Sequence, residues 1–241
     1  MKQKTLNIFG YIGDPWSYTE DPAIIDTDIK SALSDITEYD ELNVHINSYG
    51  GIATQGIAIY NIIRDAVRNA KKQKPNFVCN TIVEGIAASA ASIIFCCGDN
   101  RIMRVGSQLM IHNAISVVYG NSVDLRKEAE VLDQYDQSIA SIYAYVGNKS
   151  KEDYLAAMNA ETYYTADESV DVGLATSVDS SKESVHTVLH FARGDYQNFM
   201  RRAAFKRTLP QITKETKENV TKKATNKALA SAIFAVADEL S

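Results

Sequence analysis

The chain has 241 residues, 45% hydrophobic and 23% charged, with a formal net charge of −5. It is long enough for one sizeable core or a domain with an extension, and its composition is that of an ordinary soluble globular protein. No apolar run reaches the roughly 18 to 20 residues a bilayer span needs, and the start lacks the charged, then apolar, then small-residue pattern of a secretory signal, so no membrane partner and a cytoplasmic location are expected. Cys79, Cys96 and Cys97 are odd in number, and two lie adjacent in an apolar run. That suits reduced core thiols better than a disulfide frame or a metal site. Residues 1–190 carry 15 Lys and Arg against 25 Asp and Glu, a balance of −10; residues 191–241 carry 10 against 5, a balance of +5. The change of sign predicts a domain over 1–190 and a basic extension over 191–241. The extension lacks a nucleic-acid motif, and no nucleic-acid partner is expected.

In chain order, Leu6 to Ile12 is a predicted strand stopped by Gly13-Asp14-Pro15. Ile25, Ile29, Leu33 and Ile36 have helical spacing, predicting a helix over 26–36. Leu42 to Ile46 alternates like a strand and leads into the turn signal NSYGG at 47–51; a helix follows, with Ile57, Ile59, Tyr60, Ile63, Ala66 and Val67 on one face and Lys74-Pro75 at its end. Phe77 to Val83 is the next strand, 90–97 a buried helix stopped by Gly98, and 101–105 and 108–111 further strands. Leu125, Ala129, Leu132, Ile139, Ile142 and Val146 mark one face of a long helix ending at Gly147. Ser150 with Asp153, and Thr165 with Glu168, have capping-box spacing and start two more helices. Strands alternating with helices predict an α/β domain with mostly parallel pairing. Beyond residue 190, Tyr196, Phe199, Met200 and Ala203 form one amphipathic face, and Ala228, Leu229, Ala232, Ile233, Val236 and Leu240 a second.

The stretch EGIAASAASIIFCCG over 84–98 places two serines among alanines. Both serve as small packing residues in one explanation; in the other, Ser89 is a nucleophile. A serine nucleophile needs a histidine to take its proton, a third group to orient that histidine, and two backbone N–H groups facing the oxyanion. Ser89 stands at a strand-to-helix junction, where the N–H of Ala90 is a natural oxyanion donor. The paired glycines of NSYGG allow a second donor from Gly51. Of the four histidines, His112 ends an apolar strand at a polar loop, where a base is held rigidly; His45 lies in a strand pattern, and His186 and His190 have no obvious partner. Ser92, inside the helix, reads as a packing residue.

Four segments, INSYGG with GIAIYNIIR, GIAASAASIIFCCGDNRIM, SQLMIHNA and ETYYTADESVDVGLAT, resemble in order and spacing the proteolytic subunit of the caseinolytic (Clp) serine proteases, peptidase S14, over roughly residues 5 to 180. The resemblance implies an α/β ClpP/crotonase-like fold with a mostly parallel sheet and a handle helix, followed here by the C-terminal helical extension. It implies Ser89 as nucleophile, His112 as base, and Gly51 and Ala90 as the oxyanion hole. The position expected to hold the orienting carboxylate aligns with Glu161, with Asp167 and Asp171 as nearby alternatives. It also implies a homo-oligomeric ring acting on polypeptide substrates with neither metal nor cofactor. Tyr49 stands where the family usually has proline.

The short opening strand, Glu161 and the basic extension are similar to the prohead, or head maturation, proteases of tailed bacteriophages. The expected function on that basis is a serine endopeptidase that cleaves scaffold and capsid proteins in the bacterial host cytoplasm, inside the immature capsid. The alternative is a ClpP-type protease working with an AAA+ ATPase in general degradation, or a non-catalytic scaffold of the same fold. A crotonase-type acyl-coenzyme A enzyme shares the oxyanion geometry but has no need of a Ser/His pair.

Overall fold

The computed structural model describes residues 1–13 and 23–179. The expected boundary near residue 190, the amphipathic faces beyond it, and His186 and His190 lie outside these residues. An eight-stranded sheet runs in the order β2 (Ala23–Ile24), β1 (Gln3–Ile12), β3 (Glu41–Gly51), β4 (Val78–Ala88), β5 (Asn100–Arg104), β8 (Ser177–Asp179). Off this path, β6 (Gln108–Ile111) pairs with β4 and with β7 (Thr162–Thr165). Every pairing is parallel except β6 with β7.

The two sheet faces arise from strand alternation. On β3, Leu42, Val44, Ile46 and Ser48 are buried, and Glu41, Asn43, His45 and Asn47 point the other way. Helix α2 (Ala53–Gln73) covers the apolar face with Gly56, Ile59, Tyr60, Ile63, Val67 and Ala70, three or four residues apart. The opposite face carries a hydrogen-bonded ladder: Gln3 to Glu41 at 3.1 Å, Asn80 to Glu41 at 2.6 Å and to Asn43 at 2.8 Å, and Asn100 to Asn80 at 2.8 Å. On the same face His45 Nδ1 lies 2.6 Å from Glu84 Oε1, which makes His45 a sheet-surface residue with its own carboxylate partner.

β4 changes partner along its length. Asn80–Val83 pair with β5, whereas Ile86–Ala88 pair with β6. Between these segments its register with β3 shifts, from Ile46 opposite Val83 to Ser48 opposite Ala87. Asn47 bridges the irregularity, its side-chain carbonyl accepting from the Ile86 N–H at 3.2 Å. A bulge of this kind bends a strand and re-aims the residues beyond it. Here the sheet splits, and the end of β4 is carried to the mouth of the split.

Four expectations change. The helix over 26–36 is α1 (Asp26–Ala32) followed by a 3₁₀ turn, Ile36–Glu38. NSYGG belongs to β3 because Tyr11 and Ile12 of β1 pair with Gly50 and Gly51. β7 escapes the periodic pattern because four residues are too few to show one. The long helix α4 (Ser122–Val146) buries Asp136, Ile139, Ala140 and Tyr143, while Val123, Leu125 and Ala129 at its start are exposed. Both capping boxes are present, opening α5 (Lys151–Asn159) and α6 (Ala166–Asp171). The three cysteines are free and buried. No described helix is long and apolar enough to cross a membrane.

Arg101 joins the distal edge of the sheet to the ends of two helices. Its guanidinium donates to the carbonyls of Leu174 (2.8 Å), Val146 (3.1 Å), Gly173 (3.2 Å) and Gly98 (3.3 Å). Only a planar fork of donors serves four carbonyls so placed, so lysine is no substitute. Arg101→Ala is expected to destabilise the fold by about 2–4 kcal/mol, and Arg101→Lys by nearly as much, as read by denaturant unfolding.

Candidate active site

Three strand ends converge at the split. Ala88, the last residue of β4, lies opposite Met110 of β6, so Ser89 and His112 leave adjacent parallel strands one residue apart in register. On the other side of β6, Ile111 opposes Thr162 of antiparallel β7, which sets Glu161 opposite His112. Residues 23 and 49 positions apart in sequence from His112 are thus brought to one place by pairing alone.

Ser89 sits at the turn from β4 into α3 (Ala90–Phe95) with φ 55° and ψ −124°, a conformation costing a non-glycine residue about 1–3 kcal/mol. Its neighbours enforce the turn: its N–H donates to Met110 O at 2.9 Å, and its carbonyl accepts from the Ser92 N–H at 2.9 Å. The side chain does not cap α3. Its Oγ instead meets His112 Nε2 at 2.8 Å, a direct hydrogen-bonding distance.

His112 is largely withdrawn from water, and this burial pushes its pKa below the ordinary histidine value; the charge of Glu161 acts in the opposite direction. Glu161 follows the end of α5 with φ 51°, a left-handed position usually given to glycine. Its N–H donates to Met158 O at 3.0 Å, closing the helix, while the carboxylate acts on the imidazole. Asp167 lies in the first turn of α6 and Asp171 is its last residue, and neither contributes to the shift of His112.

Gly50 packs directly on the nucleophile turn. A Cβ there would stand 2.6 Å from Ala88 O, 2.7 Å from Ser89 Cβ and 2.9 Å from Ala90 N. At Gly51 a Cβ would lie 2.0 Å from Ile12 O. The Gly50 N–H is taken by Ser48 Oγ (3.0 Å), which itself donates to Gly10 O (2.6 Å), and the Ile52 N–H by Ile12 O (2.6 Å). N–H groups of successive strand residues point to opposite sides, so with the Ile52 N–H directed at Ile12, that of Gly51 points away from β1. The Ala90 N–H opens α3, where no carbonyl one turn back can accept it. Tyr49 joins Ala88, Met110, Ile86 and Tyr163 in a small apolar cluster beside Ser89.

One expectation changes in kind. Ser92 is fully buried, but its hydroxyl bonds to Ser89 O (2.6 Å) and to Tyr143 OH (2.7 Å). With Asp136, which accepts from the Ala114 N–H at 2.7 Å, these residues support the site yet escape motif reading. A carboxylate on the buried stripe of α4 was the available signal. Among the described residues, no group of three or more His, Cys, Asp or Glu is placed to hold a metal ion.

A mostly parallel α/β sheet in which a serine hydroxyl meets an imidazole, with a carboxylate acting on that imidazole, has the arrangement of serine-hydrolase-like proteins. Residues 30–182 match the family model described as Clp protease, and the chain belongs to the Clp protease family, a family of peptidases. It is 30% identical over 143 residues to the ATP-dependent Clp protease proteolytic subunit 3 of Rhodococcus jostii, covering 58% of this chain and 66% of that one. Against the ATP-dependent Clp protease proteolytic subunit of Pleurastrum terricola it is 31% identical over 152 residues, covering 62% and 73%. Against that of Ligilactobacillus salivarius it is 26% identical over 187 residues, covering 77% and 87%.

Proposed function

We propose that this protein is a serine endopeptidase of the Clp type that hydrolyses polypeptides. The observation that carries this reading is the 2.8 Å contact between Ser89 Oγ and His112 Nε2 across the split sheet. Ser89 Oγ attacks the peptide carbonyl while His112 Nε2 takes its proton; the N–H groups of Gly51 and Ala90 receive the oxyanion. His112 then protonates the leaving amine, and water, deprotonated by the same imidazole, hydrolyses the acyl-enzyme. Glu161 steadies the imidazolium, in preference to Asp167 or Asp171, because its charge is the one that acts on His112.

The relatives named above are ATP-dependent proteolytic subunits, which favours a ring supplied with unfolded chains by a partner ATPase over the prohead setting. The head-maturation reading rests on the short opening strand, the basic 191–241 segment and Glu161. Mass spectrometry separates the two: wild-type protein with an ATPase partner should release short peptides from many polypeptides, whereas a maturation protease should cut scaffold and coat chains at a few sites. No cleavage by the wild type in either setting, and no covalent labelling of Ser89 by a fluorophosphonate, would sink the proposal.

The base must be neutral to accept a proton. With the pKa of His112 lowered by burial, the neutral form persists to more acid pH, so the acid limb of kcat/KM is expected to have its midpoint below the ordinary histidine value of about 6.5. Glu161→Gln removes the charge that raises this pKa. The limb should move further to acid while kcat falls about 10²- to 10⁴-fold, as pH-rate profiles of the two proteins would reveal.

A further inference from the structure

One stripe of α4 is tied, through Ala114 and Ser92, to the segments that carry His112 and Ser89. Asp136, Ile139, Ala140 and Tyr143 are the buried residues of this helix, spaced three, four and seven apart. Ile139 and Ala140 are apolar, as a stripe facing a core should be. The two ends of the stripe carry polar groups instead, about 10.5 Å apart along the axis.

At one end, Asp136 Oδ1 accepts from the N–H of Ala114, two residues beyond His112, at 2.7 Å. Asp136 is 8% exposed and makes no salt bridge among the described residues. Burial raises its pKa, the bond from Ala114 opposes this, and the charge of Asp133 adds to the rise. Holding a carboxylate here therefore costs stability that an apolar residue would not. What it supplies is an acceptor for the backbone of the segment that presents the base.

At the other end lies a relay of hydroxyls. The Ser89 carbonyl can only accept, so Ser92 Oγ, 2.6 Å away, donates its single proton there. Ser92 Oγ must then accept from Tyr143 OH at 2.7 Å. The tyrosine is 1% exposed and its ring packs on Tyr154, with centroids 6.0 Å apart. Direction runs one way, from Tyr143 through Ser92 to the carbonyl of the strained nucleophile residue.

We infer that α4 sets the separation of nucleophile and base, with Asp136 and Tyr143 as positioning residues that fix, respectively, the segment after His112 and the turn at Ser89. The inference rests on the reading of Ser89 and His112 as the reacting pair. Loss of either tie would free one of the two segments from α4 and lengthen the Ser89–His112 contact. Neither residue touches the reacting atoms.

The test uses the full chain, a fluorophosphonate probe and four variants: Tyr143→Phe, Asp136→Ala, Asp136→Asn, and Tyr143→Phe with Asp136→Ala. Tyr143→Phe and Asp136→Ala are expected to slow labelling of Ser89 about ten- to a hundredfold, with KM for a peptide ester unchanged, since a displacement near 1 Å costs up to about 100-fold. Asp136→Asn keeps an acceptor for the Ala114 N–H and should recover most of the rate. The double variant should be slower by less than the product of the single effects, because one helix carries both ties. Wild-type labelling rates in folded Tyr143→Phe and Asp136→Ala, or Asp136→Asn no faster than Asp136→Ala, would overturn the inference. An NMR titration of the His112 ring reads the same geometry without turnover: a midpoint shifted in both single variants supports the inference, and one unmoved in both overturns it. If the wild type resists the probe, the proposed chemistry fails, and the ring titration still decides the positioning claim.

Discussion

Ser89→Ala is expected to lower peptide hydrolysis roughly 10⁶-fold while leaving the fold intact, because triad members act as a unit and losing one forfeits the covalent route. Alanine suits the site sterically: Ser89 has Ala88 and Ala90 on either side, and the hydroxyl makes no helix cap that the mutation would remove. The backbone bond from the Ser89 N–H to Met110 O and those from Ser92 to the Ser89 carbonyl do not involve the Ser89 side chain, so they persist. His112→Ala should cost nearly as much, and the double variant little more than either alone. Single-turnover assays with a peptide ester would measure this; residual activity above about one part in 10³ in Ser89→Ala would argue for a different nucleophile.

Gly51→Ala is the second large effect, and it acts through backbone geometry. Gly51 has φ 155°, and a methyl group there would stand 2.0 Å from Ile12 O and 2.8 Å from Ile12 N. A backbone carbonyl inside a paired strand cannot step aside as a flexible side chain can. The end of β3 must lift from β1, taking the Gly51 N–H with it. The loss of one oxyanion donor alone is worth about 10²- to 10³-fold in kcat. The expected outcome is at least that loss, together with a lower melting temperature, whereas Ser89→Ala should melt like the wild type. Gly51→Ala with wild-type kcat would remove Gly51 from the oxyanion hole.

How far the sequence was legible depended on the range of the interaction. The capping boxes Ser150/Asp153 and Thr165/Glu168 were readable because donor and acceptor lie three residues apart. The face of α2 and the strand cores were readable from periodicity. Ser89, His112, Gly51 and Ala90 could be singled out because each stands at an element end beside a small or turn-forming residue. Glu161 depended on resemblance alone, since nothing local distinguishes it from Asp167 or Asp171.

What needed tertiary structure was register. The bulge between Ile46 and Ser48 opposite β4, and the switch of β4 from β5 to β6, decide that Ser89 emerges beside His112. The short antiparallel pair of β6 and β7 decides that Glu161 faces it. Ser92, read locally as a packing residue, gained its role from Tyr143, 51 positions away. The amino-acid sequence by itself determined the alternation of elements, the buried stripes and the residues chemically able to form the site, because these depend on side-chain type and on neighbours within a turn or a strand. Only the folded sheet decided which of those residues meet, because strand register and helix docking arise from contacts between segments that no local pattern encodes.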